Sequence, residues 1–195
     1  MNKKLSKIIR ILTIAPIMAA VRLAVIYAAR PEQIGGAMNF IMSLVFLTLL
    51  PILSYPLQPV IPHFKHQGRE GQRNLAIISA NIGYIAGIIY ALIAHTPQEL
   101  LIIFLTYFLS GLLIVLFNKA FKIRASGHAC GIAGPIAILA YYISPWALAG
   151  SLLLAAAWWA SLNMKRHTVR ELAVGCALSV ASMLISVFSL RLING

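Results

Sequence analysis

The chain has 195 residues, of which 61% are hydrophobic and only 10% charged, and its mean hydropathy is +0.88. Soluble domains carry about 25% charged residues, so this composition excludes a disordered chain, a coiled coil and an ordinary water-soluble globule, and leaves an integral membrane protein. The balance of 16 Lys and Arg against 4 Asp and Glu gives a formal net charge of +12. Because the basic residues lie between apolar runs, membrane topology and anionic lipid head groups account for them, and no nucleic-acid partner is expected. Cys130 and Cys176 both sit in apolar stretches, which argues against a disulfide framework.

A membrane helix needs roughly 20 apolar residues, so the length admits at most about seven to eight spans. The first apolar run covers residues 8–29, with Lys3, Lys4 and Lys7 before it and Arg10 at its start. That start resembles a signal peptide, but the run is longer than a signal core and Arg22 interrupts it, so it reads as a first helix that stays. The second run, 38–60, should kink or stop early, because Pro51, Pro56, Pro59 and Pro62 crowd its end. The third is 74–94, a short turn around Pro97 follows, and the fourth is 100–117. A polar stretch, 118–128, precedes the fifth run, 129–143, which Ser144-Pro145 breaks. The sixth is 146–162, a second polar stretch is 163–171, and the last run is 172–190. The fifth and sixth runs are short, so their ends should borrow residues from the polar stretches. The sequence therefore predicts an all-α, polytopic transmembrane bundle of about seven helices. It forms a single membrane domain over 1–195, without repeats or an internal linker.

The charges test that count. With seven helices, the N-terminus and residues 63–73, 119–124 and 165–170 share one side, and they hold every Lys and Arg except Arg22, Arg30 and Arg191. The positive-inside rule places this side, and the N-terminus, in the cytoplasm, with the protein multi-pass in the cell membrane.

Two polar stretches on that side could carry chemistry. In the first, Lys119, Lys122 and Arg124 supply fixed positive charge, and Ser126-Gly127 leads into a helix whose first N–H groups have no intrahelical partner, with His128 at its mouth. In the second, His167 and Glu171 are four residues apart on one helix face, so the carboxylate can hold one ring nitrogen and leave the other reactive. Such an assembly suits phosphoryl chemistry without a metal: cations and N–H groups hold the phosphate, one histidine attacks, and the other protonates the leaving oxygen.

Ser126-Gly127-His128, followed some 40 residues later by His167 and then Glu171, resembles the type-2 phosphatidic acid phosphatase superfamily of membrane lipid phosphatases. The resemblance covers residues 118–171; the first hundred residues match only as generic spans. It implies that His167 is the nucleophile, forming a phosphohistidine, that His128 is the general acid, and that Glu171, where the family usually has Asp, orients His167. It further implies that Ser126 and the Gly127 N–H hold phosphate oxygens and that Lys119 and Arg124 form a compressed first motif, with Lys122 as a substitute. The chain departs from the family pattern at Ala125, where Pro is usual, and in the shorter Lys-to-Arg spacing with no Pro after the Arg. It departs most seriously at Ser161, where the family has an arginine that grips phosphate in a forked geometry. Lys165, Arg166 or Arg170 could supply that charge from another position, and restoring an arginine at Ser161 is the corresponding test.

Several features also have plainer readings. Basic residues at helix ends follow from topology alone, and His167 with Glu171 could be a surface pair. Zinc on His128, His167 and Glu171 is disfavoured by the surrounding cations and the lack of a paired-histidine motif. Gly127, Gly131 and Gly134 suit close helix packing, which could also bring the two histidine stretches together. Arg22 either has a function or snorkels to mark a shorter span. Trp146, Trp158 and Trp159 suit interfacial anchoring or packing. The loop 63–73 reads as solvated near anionic lipid, on the side where it could also cover the site.

The reading is a lipid phosphate or diphosphate phosphatase with no cofactor and no metal, acting at a cytoplasm-facing site. Its substrate is a phospholipid or polyprenyl phosphate, with isoprenoid diphosphates mildly favoured by the side on which the site opens. The alternative is a catalytically impaired family member that binds or transports a phosphorylated lipid or anion. A homo-oligomer is left open.

Overall fold

Apolar segments in hydrocarbon must pair their own backbone groups, so runs of this kind become helices. The computed structural model describes residues 3–194, and among these there is no strand. Ten α-helices follow in order: α1 Lys3–Leu12, α2 Ala15–Ala29, α3 Ala37–Leu44, α4 Leu50–Leu57, α5 Pro62–Lys65, α6 Gly68–Ile93, α7 Gln98–Lys119, α8 Gly127–Tyr142, α9 Ser151–Asn163 and α10 Val169–Asn194. Five segments are each long and apolar enough to cross a membrane: Ala37–Leu57, Gly68–Ile93, Gln98–Lys119, Pro145–Asn163 and Val169–Leu192. The pair α1–α2 makes a sixth if it is counted as one span.

Three details shape these segments and separate them from the expected count of about seven spans. The first run is two helices meeting at 50°. Pro16, in the first turn of α2, causes the break: in a continuous helix its ring would collide with the carbonyl four residues back, at Leu12. The second run is α3, a wide turn of π-helix over Val45–Leu49, and α4. Pro51 has no N–H to continue the ladder, and the widened turn just before it accommodates the ring, while α4 ends at Leu57, as the proline cluster predicted. The expected fifth span is α8, a helix of 16 residues. At about 1.5 Å per residue it is roughly 24 Å long, short of the ~30 Å hydrocarbon thickness.

That short helix is buried in the bundle, with residues 129–136 all enclosed. Its small side chains make this possible. Gly131 lies so close to α2 that an added Cβ would come within 2.3 Å of the Ala15 Cβ. On α10, an added Cβ at Gly175 would come within 2.3 Å of the Ser126 carbonyl oxygen, so only glycine allows α10 to pass the connection leading into α8. Gly134 faces Ser179 of α10 at ordinary contact distance. The principal apolar core lies deeper, around Leu23, Ile26, Leu47, Ile103 and Phe104. Apolar side chains such as Ile82, Ile89, Leu112 and Ile185 are exposed on the outer helix faces, as a lipid-facing surface requires.

Candidate functional site

The site is built around the start of α10. Thr168 and Glu171 form a reciprocal cap: the Thr168 N–H donates to Glu171 Oε2 at 3.2 Å, and the Glu171 N–H donates to Thr168 Oγ1 at 3.3 Å. This fixes the Glu171 carboxylate at the helix mouth, where the same oxygen meets His167 Nδ1 at 2.9 Å. A carboxylate only accepts, so His167 carries its proton on Nδ1 and presents Nε2 as a free lone pair. Burial lowers the pKa of His167 below the ordinary value of 6.5; the Glu171 hydrogen bond and charge pull it back up, while Arg10 and Arg124 push it further down. The ring is therefore neutral near pH 7 and available as a nucleophile.

The two polar stretches are joined through the backbone. The Ser126 N–H donates to the Glu171 carbonyl oxygen at 2.9 Å, at the crossing that Gly175 permits. Ser126 is fully buried and its hydroxyl caps α8, accepting from the Ala129 N–H at 3.3 Å. His128 follows on the first turn. Its Nε2 lies 2.9 Å from Thr13 Oγ1, and that hydroxyl gives its single proton to the Ile9 carbonyl at 2.7 Å. Thr13 can then only accept from the ring, so neutral His128 holds its proton on Nε2 and presents the Nδ1 lone pair. Burial first, then Arg10 and His167, lowers its pKa to about 3, so protonation of Nδ1 needs a nearby negative charge.

His128 and His167 line one cavity of about 1060 Å³. Its basic wall comprises Lys7, Arg10, Arg69, Arg73, Arg124 and Arg166, drawn from all four connections that the charge pattern assigned to one side. Gly127 also lines it. Of the other expected phosphate ligands, Lys119 and Lys122 are exposed and Ser126 is fully buried, and none of the three lines this cavity. Among the described residues no group of three His, Cys, Asp or Glu is arranged to hold a metal ion.

Two participants that bond directly to the 118–171 segment come from the N-terminal segment. Arg10 of α1 lies against the cavity, and its Nη1 donates to the hydroxyl of Ser161 on α9. A second bond, Asn163 Nδ2 to Ser6 Oγ at 2.7 Å, fastens α1 to the same helix. A guanidinium thus stands at Ser161 after all, supplied from a distant part of the chain. Thr13, in the break between α1 and α2, sets the His128 tautomer. Sequence reasoning assigned Arg10 to the topological charge of the N-terminus and had no signal for Thr13; only the 50° bend brings both to the histidines. Residues 63–73, expected as a loop, are largely helical, split between α5 and the start of α6, and they reach the cavity through Arg69, Glu70, Gln72 and Arg73 of α6.

Arg22 does not snorkel. It is fully buried, with its guanidinium carbon 4.8 Å from the centre of the Tyr107 ring, another residue of the cavity wall.

No family model, curated protein or solved structure matches the chain.

Proposed function

We propose that this protein is a membrane lipid phosphate or diphosphate phosphatase, a divergent relative of the type-2 phosphatidic acid phosphatases, with its site facing the cytoplasm. One observation carries the reading: two histidines of complementary tautomer, His167 held by Glu171 and His128 held by Thr13, line a single cavity walled by arginines. Anion binding, nucleophilic attack and proton transfer each have a group in place.

A phosphate entering among Arg10, Arg73, Arg124 and Arg166 is held by charge-assisted bonds, and its negative charge favours the protonated form of His128. His167 Nε2 gives its lone pair to phosphorus. The bond from phosphorus to the lipid oxygen breaks, and that oxygen takes the mobile proton of His128. Water then attacks the phosphohistidine and gives a proton to the now neutral His128 as the P–N bond breaks, which releases inorganic phosphate and restores His167. Arg10, bonded to Ser161, performs the gripping role that the family gives to an arginine at the position of Ser161. The positive-inside bias places the basic end, and with it the N-terminus, in the cytoplasm.

The test is phosphate release by the purified protein in detergent with EDTA present, from phosphatidic acid, phosphatidylglycerophosphate, farnesyl diphosphate and undecaprenyl diphosphate. Release that survives chelation and disappears in His167→Ala supports the reading. Loss on chelation with recovery on adding metal contradicts the metal-free mechanism. Ser161 favours a second reading, in which the same cavity binds or carries a phosphorylated lipid without hydrolysing it; lipid binding with no release from any substrate selects it.

A further inference from the structure

The cavity does not end at the histidines. It continues into the bundle past Asn81, Thr106 and Ser110 to Tyr84 and Tyr107. A cavity built only for a phosphate head with a hydrocarbon tail would turn apolar on leaving the head group, and this wall keeps its polar side chains. Arg22 is not on the cavity wall but directly behind it, covered by the wall residue Tyr107. All three guanidinium nitrogens of Arg22 are buried and without a hydrogen-bond partner, and so is the Tyr107 hydroxyl. Arg22 stacks on the Tyr107 ring at 4.8 Å, and the Tyr107 ring meets Tyr84 edge to face at 5.4 Å.

An arginine inside a membrane bundle is costly, and a buried guanidinium with no acceptor is the costliest form of it. Attraction to the face of Tyr107 offsets only part of that cost, because the N–H groups remain unused. The group is therefore suited to a ligand that brings an acceptor oxygen to this depth. Arg22 is seven residues along α2 from Ala15, which packs on Gly131 one turn from His128. Seven residues of helix rise about 10 Å. A lipid with its phosphate at the histidines thus points its linker region, not its head group, toward Arg22. Acyl esters carry carbonyl oxygens in that region, whereas ether-linked and polyprenyl chains carry none.

Building on the phosphatase reading, we propose that Arg22 and Tyr107 form a second polar subsite that binds an ester carbonyl of an acyl lipid whose phosphate lies between His128 and His167. The subsite discriminates between lipids with the same phosphate. It disfavours isoprenoid chains, which would set hydrocarbon against an unpartnered guanidinium, and so reverses the mild preference suggested by the side on which the site opens.

The experiment compares kcat/KM for diacyl phosphatidic acid, its dialkyl ether analogue and farnesyl phosphate, in wild type and in Arg22→Met, in the same detergent. A hydrogen bond to a charged donor is lost with the ether, so the wild type should prefer the diacyl lipid by at least about tenfold. In Arg22→Met the preference should fall to near unity, with farnesyl phosphate turned over no worse than by wild type. Equal use of diacyl and dialkyl lipid by the wild type, or an unchanged ratio in Arg22→Met, overturns the subsite. Tyr107→Phe keeps the ring beneath Arg22 and removes only the hydroxyl; it should lower the ratio partially, and it serves if Arg22→Met does not fold. If the wild type releases phosphate from none of these lipids, the phosphatase reading fails, and the subsite is judged on binding. A larger rise in Tm with diacyl than with dialkyl lipid sustains it, and equal rises overturn it.

Discussion

Two arginines on the N-terminal segment, twelve residues apart in the sequence, occupy opposite situations. Arg10 stands at the basic end, partly exposed, bonded to Ser161 and facing the cavity that His128 and His167 share. Arg22 lies in the body of the bundle, fully buried, with no hydrogen bond from any guanidinium nitrogen. The first is already satisfied in part by the protein and keeps N–H groups for an arriving anion. The second is satisfied by nothing but an aromatic face. The difference teaches that charge near the end of a membrane bundle is explained by topology and a polar rim, while charge in its interior is not.

The comparison breaks most visibly at the histidine end. His167→Ala should lower turnover by about 10³-fold or more, since it removes the proposed nucleophile, while leaving lipid binding and folding intact. Arg10→Ala should come next, with a loss of about 10²-fold, the scale of removing one donor from a developing charge, and Arg10→Lys should restore only part of it because an ammonium cannot grip two oxygens at once. Steady-state phosphate release reads both. If Arg10→Ala behaves like wild type, Arg10 belongs with the topological charges and the contrast with Arg22 loses one side.

Ser161→Arg gives a sharper form of the same test. The family pattern suggests that an arginine at Ser161 should raise turnover. The structure suggests the opposite: Ser161 is fully buried and already receives Arg10, so a second guanidinium would crowd and repel the first. Turnover should fall about tenfold or more, and pairing with Arg10→Ala should relieve the defect.

A smaller effect concerns pH. The proposed mechanism uses neutral His167, and its pKa is lowered below 6.5, chiefly by burial. Activity should therefore rise with increasing pH through a point below 6.5 and lose no further activity on this limb above it. Glu171→Gln, which removes the hydrogen-bonded charge that pulls this pKa up, should shift the limb further toward acid. The smallest expected effect is that of Thr13→Val, which frees the His128 tautomer at the cost of about one hydrogen bond, or roughly fivefold in kcat.

The sequence made some of this legible and hid the rest for physical reasons. Helical class and the placement of the longest helices follow from runs whose backbone must pair internally, so α6, α7 and α10 lie where hydropathy puts them, extended by a few residues at their ends. His167 and Glu171 were readable because four-residue spacing on a helix is local geometry, and the hydrogen bond is there. Ser126 was readable as the opening of a helix, and its hydroxyl caps α8, but its full burial behind the cavity wall was not readable. Lys119 and Lys122 carried the right charge at the right end, yet the turn after α7, where Lys122 takes φ +52°, leaves both exposed and off the cavity wall. Arg10 and Thr13 were not legible at all. Their roles depend on Pro16 bending the first run and on α1 docking on α9, and both contacts span more than a hundred residues of sequence. Arg22 was conspicuous from the start, but burial without a partner is a property of the packed bundle.

The most direct test of the central claim is to trap the intermediate. Purified protein, with EDTA present, is mixed with phosphatidic acid carrying a radiolabelled phosphate, quenched in alkali within the first turnover and resolved by electrophoresis. Alkali-stable, acid-labile label on wild type that maps to His167 and is absent from His167→Ala is the result this account requires. Lipid hydrolysis with no label on the protein, or label that persists in His167→Ala, would contradict it.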